Sequence, residues 1–185
     1  VSAQGSDRFQ VPEYHAPRNR YPEGVRHKEF DFGVYRFVEP RPDAAWFSLD
    51  VGTMDDLHVV RFHAKEVMEP YTFRWSRDVS YVSIQGIRED SQIVVLWLND
   101  GGRPDGIEPA HVTVSLNDRL LGQASVSEGF RPYTFAMPAD LAAAAASDDE
   151  PARLMIVTNT WNPGDVLGVP DDRQLGVMVD RVEVQ

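Results

Sequence analysis

Leu49-Asp-Val-Gly-Thr-Met-Asp-Asp-Leu-His-Val-Val-Arg-Phe-His-Ala-Lys-Glu66, followed by Tyr71-Thr-Phe-Arg-Trp-Ser76, is the stretch that decides the fold. It reads as a strand closing in an Asp-x-Gly turn at Asp50-Val51-Gly52. A second strand carrying Glu66 follows, then a third carrying Arg74 and Trp75. The same grammar continues on both sides. Predicted strands are 30–37, 46–51, 57–64, 71–75, 79–87, 93–98, 111–116, 119–125, 133–136, 154–159 and 175–184. Val112, Val114 and Leu116 alternate with Thr113 and Ser115, as a half-buried strand requires. Ile93-Val-Val-Leu-Trp-Leu98 is apolar on both faces. It reads as a central strand covered on both sides, or one whose outer face meets another surface.

Turns punctuate these runs. Asn117-Asp118 fits a tight hairpin, and Asn99-Asp-Gly-Gly-Arg-Pro-Asp-Gly106 is a long polar loop. The one helix expected is 139–147, where alanines follow Pro138 and Asp148-Asp-Glu-Pro151 ends the run. With Leu141 as its single large apolar anchor it reads as a crossover cap. Short strands at regular intervals with no βαβ alternation predict an all-β, two-layer antiparallel β-sandwich of jelly-roll type. Residues 30–185 form that domain in this reading. Residues 1–29 are expected to be an extended N-terminal arm, because Pro12, Pro17 and Pro22 interrupt it. Arg8, Arg18, Arg20, Arg26 and Lys28 make it locally basic.

The 185-residue chain carries a formal net charge of −11 and an isoelectric point near 4.8. That argues against nucleic acid and against anionic lipid, both of which need clustered Lys and Arg. It fits cationic partners or neutral ligands such as sugars. There is no cysteine, which excludes disulfides, thiol catalysis and thiolate metal sites. No apolar run approaches the ~20 residues of a membrane span. The chain opens Val-Ser-Ala-Gln-Gly rather than with Met. A removed signal peptide, a removed anchor or a cut made for expression would account for that.

The order of motifs resembles a galactose-binding-domain-like jelly roll. It resembles more particularly the extracytoplasmic β-sandwich domains attached to bacterial membrane glycosyltransferase-like proteins. The residues that carry the resemblance are Asp50-Val-Gly52 with Asp55-Asp56, Glu66 on the next strand, and Phe73-Arg-Trp-Ser76. Trp161-Asn-Pro163, Asp172-Arg-Gln-Leu-Gly176 and the closing strand complete it. The resemblance covers about residues 30–185 and implies a sandwich in an extracytoplasmic setting. Such sandwiches serve many roles.

Glu66 and Arg74 lie on neighbouring predicted strands. They read as a structural ion pair bracing the sheet, with a sugar-hydroxyl clamp as the functional alternative. The 161–173 loop supplies the groups a sugar site needs. Trp161 would stack on a sugar face, while Asn162, Asp165 and Arg173 would bond hydroxyls. Loops 99–106 and 128–132 would complete that site. The structural alternative has Trp161 plugging the sandwich end and Arg173 pinning the loop. His58 and His63 are five residues apart, so on a regular strand they face opposite ways. No metal motif is present. Asp50, Asp55 and Asp100 are the hard oxygen donors a structural calcium would use, and no other cofactor is expected. No nucleophile elbow, dinucleotide fingerprint or phosphate loop occurs, so no catalytic residue and no enzyme activity are expected. The expected function is a non-catalytic, extracytoplasmic binding module for a glycan. The alternative is a structural accessory subunit that docks through its arm into a larger membrane or envelope complex, with a protein as partner.

Overall fold

The computed structural model describes residues 47–185. The predicted arm 1–29 and the predicted strand 30–37 lie outside them. Nine strands and two helices follow in the order β1 (Phe47–Asp50), β2 (Val59–Met68), β3 (Tyr71–Ile84), β4 (Ile93–Asn99), β5 (Ala110–Leu116), β6 (Arg119–Val126), β7 (Arg131–Ala136), α1 (Ala139–Ala146), β8 (Ala152–Thr158), α2 (Pro163–Leu167) and β9 (Met178–Val184). Every strand pairing is antiparallel. The strands form one nine-stranded sheet in the order β6-β5-β8-β3-β9-β4-β7, with β2 beside β3 and β1 beside β9, and it folds over at β3 so that β6-β5-β8-β3-β2 makes one layer and β7-β4-β9-β1 the other. The alternating residues Val82 and Ile84, Val94 to Leu98, Val112 to Leu116, Leu154 and Ile156, and Val182 and Val184 pack between the layers as one core. The fold is the all-β sandwich that the alternation predicts.

The layers meet at β3. Two strands were predicted at 71–75 and 79–87, but β3 runs unbroken from Tyr71 to Ile84. Its first half pairs with β9 (Arg74 with Val179, Trp75 with Met178) and its second half with β8 (Val79 to Ile84). Polar Arg77 and Asp78 mark the bend between halves rather than a break. The buried Ser80 hydroxyl stabilises that bend by accepting from Arg77 N (2.9 Å) and donating to the Arg61 carbonyl (2.8 Å). On β2, facing the bend, the register shifts on both sides of Phe62. Arg61 adopts φ +63° there, a left-handed conformation that non-glycine residues rarely hold.

Ser76 is the hinge of the corner. Its N–H donates to Val177 O (2.8 Å), its carbonyl accepts from Gly176 N (2.9 Å), and its hydroxyl accepts from Val177 N (2.9 Å). A Cβ on Gly176 would overlap the Ser76 hydroxyl and the Thr158 methyl. The expected strand 175–184 therefore starts late, at Met178. Leu175 instead makes an isolated bridge with Trp161.

The Asn117-Asp118 hairpin has both central residues at positive φ (+46° and +65°), which Asn and Asp tolerate. Helix α1 forms where expected, but it is more than a cap. Leu141, Ala142 and Ala145 join the main core, because alanine's small side chain lets the helix sit close to the sheet edges. Helix α2 was not expected. Its signals are nonetheless regular: Asn162 caps it, Pro163 opens it, and Gly168 closes it at φ +68°.

Gly176→Ala should cost ~1–3 kcal/mol by forcing the corner apart. Urea denaturation measures this, and an unchanged midpoint would show that the corner tolerates separation.

Candidate functional site

The Asp50–Leu57 turn is fastened to β3 by a buried ion pair. Asp55 is 1% exposed and takes two bonds from Arg74, Nε to Oδ2 and Nη2 to Oδ1, each 2.7 Å. Gly52 N adds a third at 2.8 Å. Arg74 also reaches Asp56 (2.6 Å) and the His63 carbonyl (3.3 Å). Burial pushes the Asp55 carboxyl up. The Arg74 and Gly52 hydrogen bonds outweigh that and hold it below the usual carboxylate range.

This corrects the expected Glu66–Arg74 pair. In the β2–β3 register Lys65 lies opposite Arg74, and Glu66 lies opposite Phe73. Side chains alternate along a strand, so Glu66 and Arg74 point to opposite faces. Glu66 instead accepts from Arg173 Nη1 (2.7 Å). Arg173 holds Asp171 as well, with Nε to Oδ1 at 2.9 Å and Nη2 to Oδ2 at 2.7 Å. The Arg173 hydrogen bonds bring the Asp171 carboxyl down to about 2. The two carboxylates push Arg173 up.

The predicted loops gather around a second, smaller core of Phe73, Trp75, Trp161 and Leu175, flanked by Ile107 and Phe130. Gly101 lies against the outer edge of the Trp75 ring, and Asn99 Oδ1 joins both loops by accepting from Gly101 N and Gly129 N. Arg103 ties the 99–109 loop down from inside. It donates to the carbonyls of Glu108 (3.0 Å), Asn159 (2.7 Å) and Gly176 (3.0 Å). Burial pushes its guanidinium pKa down.

Trp161 is 7% exposed within that cluster, so its ring offers no open face for stacking. Its place among Phe73, Trp75 and Leu175 is that of a plug. Asn162 is occupied at both ends, with Oδ1 accepting from Asp165 N (3.1 Å) and Nδ2 donating to the Asp172 carbonyl (3.0 Å). Asp165 is exposed on α2. Asp50 accepts from the Thr72 hydroxyl and Asp100 from Gly102 N, while Asp55 is committed to Arg74. Among the described residues no three His, Cys, Asp or Glu side chains gather as a metal ion would need.

Of the expected ligand residues, Arg173 alone lines a cleft. That cleft measures about 700 Å³ and lies at the β3 bend. The β2 irregularity turns Arg61 toward it, where Nε donates to Val79 O (2.9 Å) and Nη2 to Asp78 (2.7 Å). The Val79 N–H and Arg61 together hold Asp78 below the usual carboxylate range. Buried His63 donates from Nε2 to the Gln174 carbonyl (2.9 Å), and Thr160 donates to Gln174 Oε1 (3.3 Å). Arg77 and Asp172 complete the lining. Sequence reasoning placed Arg173, and Asp172 within the 161–173 loop, in a binding site and missed the rest. The polar interruption Arg77-Asp78 between two apolar runs was their one visible signal.

No protein-family model matches the chain, and no curated protein matches it. Among solved structures it is similar to a GH26-CBM35 β-(1,4)-mannanase of Podospora anserina (8% identity, TM-score 0.42), over 76% of this chain and 27% of that one. A variant of a family 29 carbohydrate-binding module is similar at 8% identity and TM-score 0.41, over 77% of this chain and 92% of the module. A family 35 carbohydrate-binding module from Clostridium thermocellum is similar at 7% identity and TM-score 0.42, over 75% and 97%. The chain spans about a quarter of the mannanase. At these values the likeness assigns neither family nor ligand to this chain.

Asp55 and Asp171 both have folded pKa values below their unfolded ones. Their stabilisation is therefore complete above the ordinary carboxylate range and drains as pH falls from about 4 towards 2. Asp171→Asn should be less stable than the parent at pH 7, and the gap should narrow near pH 3. Urea midpoints at the two pH values check this. A gap of constant size would separate Asp171 from acid sensitivity.

Proposed function

We propose that this domain is a non-catalytic, extracytoplasmic binding module that recognises glycans in the cleft at the β3 bend. The observation that carries the reading is the cleft's lining of planar polar groups held in fixed positions. Arg61 is locked by Asp78, Arg173 by Asp171 and Glu66, and Gln174 by His63 and Thr160. Directional donors and acceptors that are already in place match ring hydroxyls with little ordering cost. The non-catalytic reading rests on the sequence, which carries no catalytic motif, and two acids at the cleft agree with it. Glycoside hydrolysis needs a carboxyl kept protonated near neutral pH. Asp78 in the cleft and Asp171 behind it are both pushed down. Burial does push Asp180 up, but Asp180 is on β9 and does not line the cleft. The extracytoplasmic setting rests on the sequence resemblance.

A second reading, an accessory subunit that docks on protein, is favoured by β2. Among the described strands it pairs with β3 alone. It exposes Val60 and Val67, and the preceding Leu57 is 92% exposed. Apolar side chains on a free edge are a template for a partner chain. A photo-crosslinker placed at Val60 should give one discrete adduct in the producing cells. Without an adduct this second reading fails.

For glycan recognition, Arg77→Gln is the informative change, because Arg77 is exposed and makes no side-chain bond among the described residues. Hydrogen bonds to a charged donor contribute ~1.5–3 kcal/mol, so binding on a broad glycan array should weaken ~10-fold or more. An array silent for the parent protein, or signals indifferent to Arg77, would reject the cleft.

A further inference from the structure

The cleft does not end at Arg173. Asp172 lines it and also lines a second depression of about 370 Å³ formed with Gly164, Val169, Pro170 and Asp171. The two hollows share this one wall. The second adds the exposed aliphatic side chains of Val169 and Pro170. The residues that line the first are all polar or charged, and Trp161 is not among them.

The second hollow is shaped by hydrogen bonds within its own loop. Gly164 N donates to Asp171 O (2.7 Å) and Asp171 N to Val169 O (2.8 Å), which folds the chain tightly about Pro170. A Cβ on Gly164 would come within 2.9 Å of Asp171 O, so the loop closes over a position that glycine alone fits. Asn162 Nδ2 fixes the carbonyl of Asp172, the shared wall. The Arg173–Asp171 pair holds the far side. Asn162 therefore shapes the shelf and does not itself reach a ligand.

We infer that the two hollows form one groove and that its ligand is a glycan chain of at least two sugar units. This rests on the glycan reading above. One unit sets its hydroxyls against Arg61, Arg77 and Gln174 in the cleft. The next lays a C–H face on Val169 and Pro170. A sugar unit covering ~25 Å² of that aliphatic surface gains about 3-fold in affinity.

The test is an array printed with matched mono-, di-, tri- and tetrasaccharides within each sugar series, followed by titration calorimetry on the series that binds. The disaccharide should bind the parent ~3-fold tighter than the monosaccharide. Val169→Ser should remove most of that gain while leaving monosaccharide affinity unchanged. Val169→Leu, which keeps the aliphatic face, should retain the gain and shows whether the loop tolerates substitution. Equal affinity for mono- and disaccharide, or a length gain untouched by Val169→Ser, overturns the extended groove and leaves the cleft standing. Binding that ignores Arg77→Gln, or no binding in any series, overturns both.

Discussion

One strand can serve two sheets here because Ser76 and Gly176 meet with no side chain between them. Antiparallel layers of a sandwich need a place where the chain crosses from one to the other, and corners cost backbone hydrogen bonds unless something replaces them. Ser76 replaces them with its own hydroxyl, and Gly176 keeps the distance short enough for it to do so. The bend that follows at Arg77-Asp78 is then a consequence of geometry. So is the cleft, because the outward side of a bent strand spreads its side chains apart.

The charged groups divide their labour accordingly. Arg74 is buried with Asp55 and serves the fold, since a lone charge at that depth would be strongly destabilising. Arg103 does the same without any carboxylate, using three carbonyls. Arg61 and Arg173 are half in solvent. Their carboxylate partners fix their orientation more than they add stability, as expected for ion pairs in contact with water. An acidic protein thus gathers three arginines at one cleft, with Asp78 and Asp171 held below the usual carboxylate range beside them.

The sandwich was legible because burial on one face of a strand writes itself into every second residue. Val112 to Leu116 could hardly be read otherwise. Their neighbours in the sheet could not be read, because pairing is a long-range choice that local alternation does not encode. The Glu66–Arg74 error shows this at single-residue scale. The two segments are neighbours as expected, but the register sets Glu66 opposite Phe73 and so sends the two side chains to opposite faces. The 161–173 loop drew notice for its composition, yet Asn162 and Pro163 were there as helix-start signals and Trp161 as a core residue. Arg61 and His63 carried no local mark, since what brings them to the cleft is an irregularity in β2 that only the bend of β3 explains.

Arg103 has a further consequence for the Gly-rich 99–106 loop. Its anchoring contacts all run inward, and Asp105 and Gly106 at the tip are exposed, with open space around Gly106. The tip is therefore mechanically decoupled from the strands it joins. A fluorophore or epitope grafted there would report on the domain without loading either sheet.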